Sequence, residues 1–238
     1  MVDERLLTMH RVRLGFVAVV ALIGTLALSG CQRDPDTALR IGDVTMDNAQ
    51  VEAAAERFAT SLAGSPAGIK DPVGAVRQSV VQLTVFNELA RRYAQEKGIA
   101  VPAADYAASA EALGVPADDP YVRLSAEASA YVTALRAQAT SQKPTEADMQ
   151  QAYGRYAELA GENAAPYDQI RDALLELPEY SQSLGLRTEL LAALDRYGLT
   201  VNPRYTPLDF PLFSVSQGQL VLVNLPMGDQ GTPVRTAS

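Results

Sequence analysis

At 238 residues the chain is long enough for one large domain or two small ones and for a continuous apolar core. Hydrophobic residues make up 47%, charged residues 20% and aromatics 6%, with no Trp and a net charge of −8. Those values exclude a disordered chain and a low-complexity fibre, and the single Cys, Cys31, excludes an internal disulfide framework.

The N-terminus carries an address. Residues 14–28 (LGFVAVVALIGTLAL) are uncharged, follow Arg11 and Arg13, and run into Ser29-Gly30-Cys31. Fifteen residues are short for a membrane span, which needs roughly 20. A basic flank, an apolar run and small residues are the parts of an export signal. Leu28-Ser29-Gly30-Cys31 resembles the bacterial lipobox, in which the Cys receives a diacylglycerol and becomes the first residue after cleavage. The expectation is a lipoprotein signal at 1–30, with Met9 as a rival start, and a lipid anchor at Cys31 on the extracytoplasmic face of a bacterial cell membrane. The alternative is an uncleaved signal anchor with an idle Cys. Removing 1–30 takes away three Arg and two acids and leaves a net charge of −9. An acidic body argues against nucleic acid and against electrostatic adhesion to anionic lipid, so acyl chains would do the anchoring.

Residues 31–37 form a polar tether. Residues 38–44 (ALRIGDV) read as a strand with a Gly-Asp turn. Asp47 and Gln50 form a near capping box for a helix with Val51, Ala55, Phe58 and Leu62 in phase, which Gly64-Ser65-Pro66 ends. Asp71-Pro72 opens the longest helix, running to Lys97 with Gly98 as its stop. Val76, Val80, Leu83, Phe86 and Ala90 make one apolar row on it, and Val81, Val85 and Leu89 a second. So wide an arc belongs either to a central core helix or to one that turns part of its surface to a client groove.

Residues 102–113 read as an Ala-rich helix ending at Gly114. Asp118-Asp119-Pro120 caps the next rather than binding metal, and Leu124, Ala128, Tyr131, Leu135 and Ala139 form its stripe. Thr145, with Asp148 three residues on, caps a helix with Met149, Ala152, Tyr156 and Leu159 in phase. After a linker at 161–166, residues 167–177 and 181–196 read as a helical pair broken at Pro178, with Leu186, Leu190, Leu194 and Tyr197 aligned. Of 38 Ala, only Ala237 lies beyond Ala193. There residues 199–202, 212–215 and 219–225 are β-like, with Ser216-Gln217-Gly218 as a hairpin turn, and 226–238 reads as a flexible tail. The expected fold is mainly α, one domain over 38–225, with a small β element formed where N-terminal residues 38–44 pair with C-terminal residues 199–202.

Without residues 1–30 the chain has no His, and Cys31 would be alkylated. Ser-His-Asp and Cys-His catalysis and His- or Cys-based zinc sites are thereby excluded. No nucleotide-binding glycine motif and no Ser-x-x-Lys spacing occurs. The expectation is no enzyme, no cofactor and no metal.

The order of lipobox, short strand, Gly-Asp, capped helix and long Arg-bearing helix ending Lys97-Gly98-Ile99 resembles the N-terminal chaperone region of SurA- and PrsA-type foldases. So do Lys143-Pro144-Thr145-Glu146-Ala147-Asp148-Met149 with Tyr153, and Tyr167-Asp168-Gln169-Ile170-Arg171 leading to 199–205 (LTVNPRY). The resemblance covers residues 38–205 and implies a SurA N-terminal-like helical domain that holds unfolded exported proteins. In that family a parvulin prolyl isomerase domain is usually inserted between the last two motifs. Here only residues 159–167 fill the gap, and parvulin sites also use His, so the resemblance implies holding without isomerisation. The alternatives are an envelope interaction scaffold and a small-ligand-binding lipoprotein. The sequence does not place the client-binding residues.

Overall fold

In the computed structural model, residues 36–62, 72–215 and 220–228 are described. The lipobox, Cys31, most of the tether, Asp71, the Gly64-Ser65-Pro66 stop, the 216–218 turn and residues 229–238 lie outside them. Strand β1 (Thr37–Ile41) turns at Gly42-Asp43 into β2 (Val44–Asp47). The 38–44 segment is therefore not one strand. It reverses at its Gly-Asp step, and the alternating Val44-Thr45-Met46-Asp47 supplies a second strand that the sequence pattern alone does not announce. On its other edge β1 pairs antiparallel with β3 (Leu199–Val201), Leu39 opposite Val201 and Ile41 opposite Leu199. The expected pairing of the two ends of the helical block is thus present, and Ala38, Leu39 and Ile41 are fully buried beneath it.

Helix α1 (Asn48–Leu62) starts at a reciprocal cap. The Gln50 amide N–H donates to Asp47 Oδ1 at 2.7 Å, and the Asp47 N–H to Gln50 Oε1 at 2.9 Å. Helix α2 (Pro72–Lys97) is the longest, and Gly98, at φ +65°, closes it in a conformation that other residues rarely adopt. Val76, Val80, Val81, Val85, Phe86, Leu89 and Ala90 are all buried, against α1, β1 and the helices and strand that follow. Most of the wide arc is core, and Leu83 of the same row is half-buried against it. Arg92 ion-pairs with Glu88 and Asp43, which fastens α2 to the β1–β2 turn.

Helix α3 (Tyr106–Leu113) begins four residues later than the Ala-rich stretch suggests, because the Asp105 carboxylate accepts from the Ala108 N–H at 2.9 Å and so fixes the cap there. Helix α4 (Pro120–Gln138) is capped by Asp119, with Pro120 in its first turn. Helices α5 (Glu146–Ala160), α6 (Tyr167–Leu175) and α7 (Pro178–Tyr197) follow, with a 3-10 turn over Gly161–Asn163. Pro178 sits at the start of α7 rather than breaking a pair before Ser181, since a first-turn Pro gives up no helical hydrogen bond.

The expected pairing of the last two strands is present, and both strands are longer than the sequence suggests. Strands β4 (Leu208–Val215) and β5 (Leu220–Gly228) form their own antiparallel two-stranded sheet. Pro226 pairs with Asp209, and Met227 is buried, so the tail does not begin at 226. Leu208, Phe210 and Leu212 alternate inward, and Phe210 stacks on Phe86 of α2 at 3.6 Å between ring centroids. Over the described residues the protein is mainly helical, with two small antiparallel sheets.

Candidate functional site

Helix α5 is held at its first turn by a fully engaged carboxylate. Asp148 Oδ2 accepts from the Thr145 N–H at 2.9 Å and from Thr145 Oγ1 at 2.6 Å, while Oδ1 accepts from Arg187 of α7 at 2.7 Å. Burial alone would raise the Asp148 pKa. The hydrogen bonds from Thr145 and Arg187 outweigh it and hold the carboxyl below its ordinary range. Tyr180, buried beside it, donates to the Asp148 carbonyl at 3.1 Å. Its hydroxyl is pushed up to about 12, chiefly by burial and then by the Asp148 charge.

Three tyrosines set α6 against α5. Tyr153 donates to the Ala165 carbonyl at 3.2 Å, and the Ala165 N–H donates to the Tyr156 hydroxyl at 3.0 Å. The Tyr167 ring meets Tyr153 edge-on at 5.3 Å, and its hydroxyl donates to Glu146 at 2.7 Å. The connection between α5 and α6 is a short turn pinned by these side chains.

Between α5, α6 and the β4–β5 sheet lies an apolar groove of about 330 Å³. Tyr156, Leu159 and Ala160 line it from α5, Ile170, Ala173 and Leu174 from α6, Leu177 from the α6–α7 joint, and Val215, Leu220 and Leu222 from the sheet. Leu159 is 55% exposed at its edge, and Leu175 of α6 is 50% exposed; large apolar side chains so open to water are otherwise missing among the described residues. The Tyr156 hydroxyl is the polar side-chain group of the lining, and it is already engaged by Ala165. Such a surface can bury aliphatic groups, but it presents no nucleophile and no carboxylate. A second hollow of about 350 Å³, between α3 and α4, is walled by Ala and Ser with Asp105 and offers less apolar surface.

The groove takes two residues of a sequence-derived stripe, Tyr156 and Leu159, which extend the α5 row past the buried Met149 and Ala152. The other lining residues belong to no stripe named from the sequence. Ile170, Leu174 and Leu177 repeat at helical spacing, which is the signal available for them; the sheet wall depends on β4 and β5 packing over α5 and α7. Among the described residues no group of three His, Cys, Asp or Glu is placed to hold a metal ion, and no helix is long and apolar enough to cross a membrane. No family model matches the chain, and comparison with curated proteins and with solved structures found no match.

Proposed function

We propose that the protein is a lipid-anchored, extracytoplasmic holding protein that shields apolar segments of unfolded or exported polypeptides without isomerising prolines. The observation that carries this reading is the groove under Leu159, an open aliphatic surface on an otherwise well-packed body. A SurA N-terminal-like domain is the finer form of the fold reading. It is supported by the terminal strand pair, the Thr145–Asp148 cap and the short turn at the usual insertion point. A client leucine buried there gains about 2 kcal/mol. A short apolar run then binds weakly and leaves freely, as holding without ATP requires.

The purified protein is expected to delay light scattering by several unrelated heat-unfolded reporters and to leave proline-limited refolding at its uncatalysed rate. Leu159→Asn, at a half-exposed position, should weaken the delay without lowering the melting temperature. Unchanged scattering at several-fold excess, or accelerated refolding, would refute the corresponding half of the proposal.

The scaffold reading, with a single envelope partner, is favoured by the burial of the α2 arc, which leaves only a small apolar surface. Retention of one partner with no effect on the reporters would select it. The anchor has its own test. Cys31→Ser is expected to leave the protein unprocessed or to release it from membranes, and normal maturation with full membrane retention would remove the anchor from the proposal.

A further inference from the structure

The groove lies where two helices end. Leu159 and Ala160 are the last residues of α5, and Leu174 lies in the last turn of α6. The carbonyl ends of a helix carry roughly half a negative charge, which a basic residue in the last turn ordinarily offsets. Neither α5 nor α6 has one. The surrounding stretch deepens the imbalance. Residues 155–179 contain six carboxylates and two guanidiniums. Of those guanidiniums, Arg171 is spent on Asp168 and Asp172, and Arg155 donates to the Val221 carbonyl at 3.3 Å. Glu158, Glu162 and Glu176 are exposed and stand within two residues of the lining residues Leu159, Ala160, Leu174 and Leu177 in the chain. At physiological salt the field of such charges reaches about 8 Å, enough to act on a chain leaving the groove.

An aliphatic floor within a negative frame selects by chemistry. We infer that the groove takes a polypeptide segment whose short aliphatic run is flanked by Lys or Arg, the run entering the groove and the cations lying over the helix ends. The inference rests on the holding function proposed above and adds to it a class of client.

The test uses the protein as its host produces it and three fluorescent peptides sharing one Leu/Val core, flanked by pairs of Lys, Gln or Glu. Anisotropy at low salt should show the Lys peptide binding about tenfold more tightly than the Glu peptide, with the Gln peptide between them and the spread shrinking at high salt. Leu159→Asn should weaken all three. A Glu158→Gln, Glu162→Gln, Glu176→Gln variant should erase most of the spread at an unchanged melting temperature. Equal binding of the three peptides, or a spread that survives the triple variant, overturns the inference while the holding function stands. The inference also falls, alone, if no peptide binds yet the reporters are still protected. If no peptide binds and no reporter is protected, the holding function falls with it.

Discussion

Gly185→Ala is expected to destabilise the protein by about 3 kcal/mol, lowering its melting temperature by roughly 6–12 °C. Gly185 is buried in the middle of α7, and the segment joining α4 to α5 crosses directly over it. A Cβ at this position would stand 1.8 Å from the Thr140 carbonyl oxygen and 3.0 Å from its carbon. Backbone cannot rotate away as a side chain tip can. The crossing is also fastened on both sides of the glycine, by Gln142 N–H to the Ser181 carbonyl at 3.0 Å and by Thr188 Oγ1 to Gln142 Oε1 at 2.6 Å. Relief therefore means lifting the whole connection, and with it the start of α5 and the wall of the groove. Gly154, on the exposed side of α5, has open space where its Cβ would lie. Gly154→Ala should stabilise by about 0.5–1 kcal/mol through the unfolded state and helix propensity. Urea titration of the two variants checks the pair. Equal, small effects would show that the crossing is slack.

The contrast between these glycines illustrates what the sequence could reveal. Both sit within helical periodicity, and nothing local distinguishes them, because the Thr140 carbonyl approaches from 45 positions away. Local signals were legible wherever the cause was local. The Asp47–Gln50 and Thr145–Asp148 caps, Pro120 behind Asp119 and the stop at Gly98 lie where their chemistry puts them. The β1–β3 pairing was legible because both segments are too short to stand alone. Strand β2, beyond the legible Gly42-Asp43 turn, and the extension of β5 through Met227 were not, since Val44-Thr45-Met46-Asp47 and Pro226-Met227 look polar or broken until they are paired. For the candidate site, the helical walls carried a pattern at Leu159 and at Ile170, Leu174 and Leu177. The sheet wall depends on a tertiary contact, and the buried arc of α2 had an equally apolar sequence with the opposite outcome.

The Asp148 carboxylate offers the second large effect. Asp148→Asn keeps the shape but removes the charge that faces Arg187, whose side chain is 20% exposed, and weakens the cap on Thr145. The cost should be about 2 kcal/mol near neutral pH, since a largely buried guanidinium loses its counter-charge. The pH dependence follows from the sign of the shift. The carboxyl is held below its ordinary value in the folded protein, so its contribution is complete above the unfolded value, about 3.9. It is lost as pH falls through the lower, folded value. Wild type and Asp148→Asn should therefore differ by a constant amount above about pH 5 and converge as the solution is acidified below about pH 4. Arg187→Met, which removes the other charge and keeps much of the packing, completes a double-mutant cycle with an expected coupling of about 1–2 kcal/mol. A gap that persists unchanged to pH 2, or a coupling near zero, would mean that the Thr145 cap alone holds the start of α5 and that Arg187 does not tie it to α7.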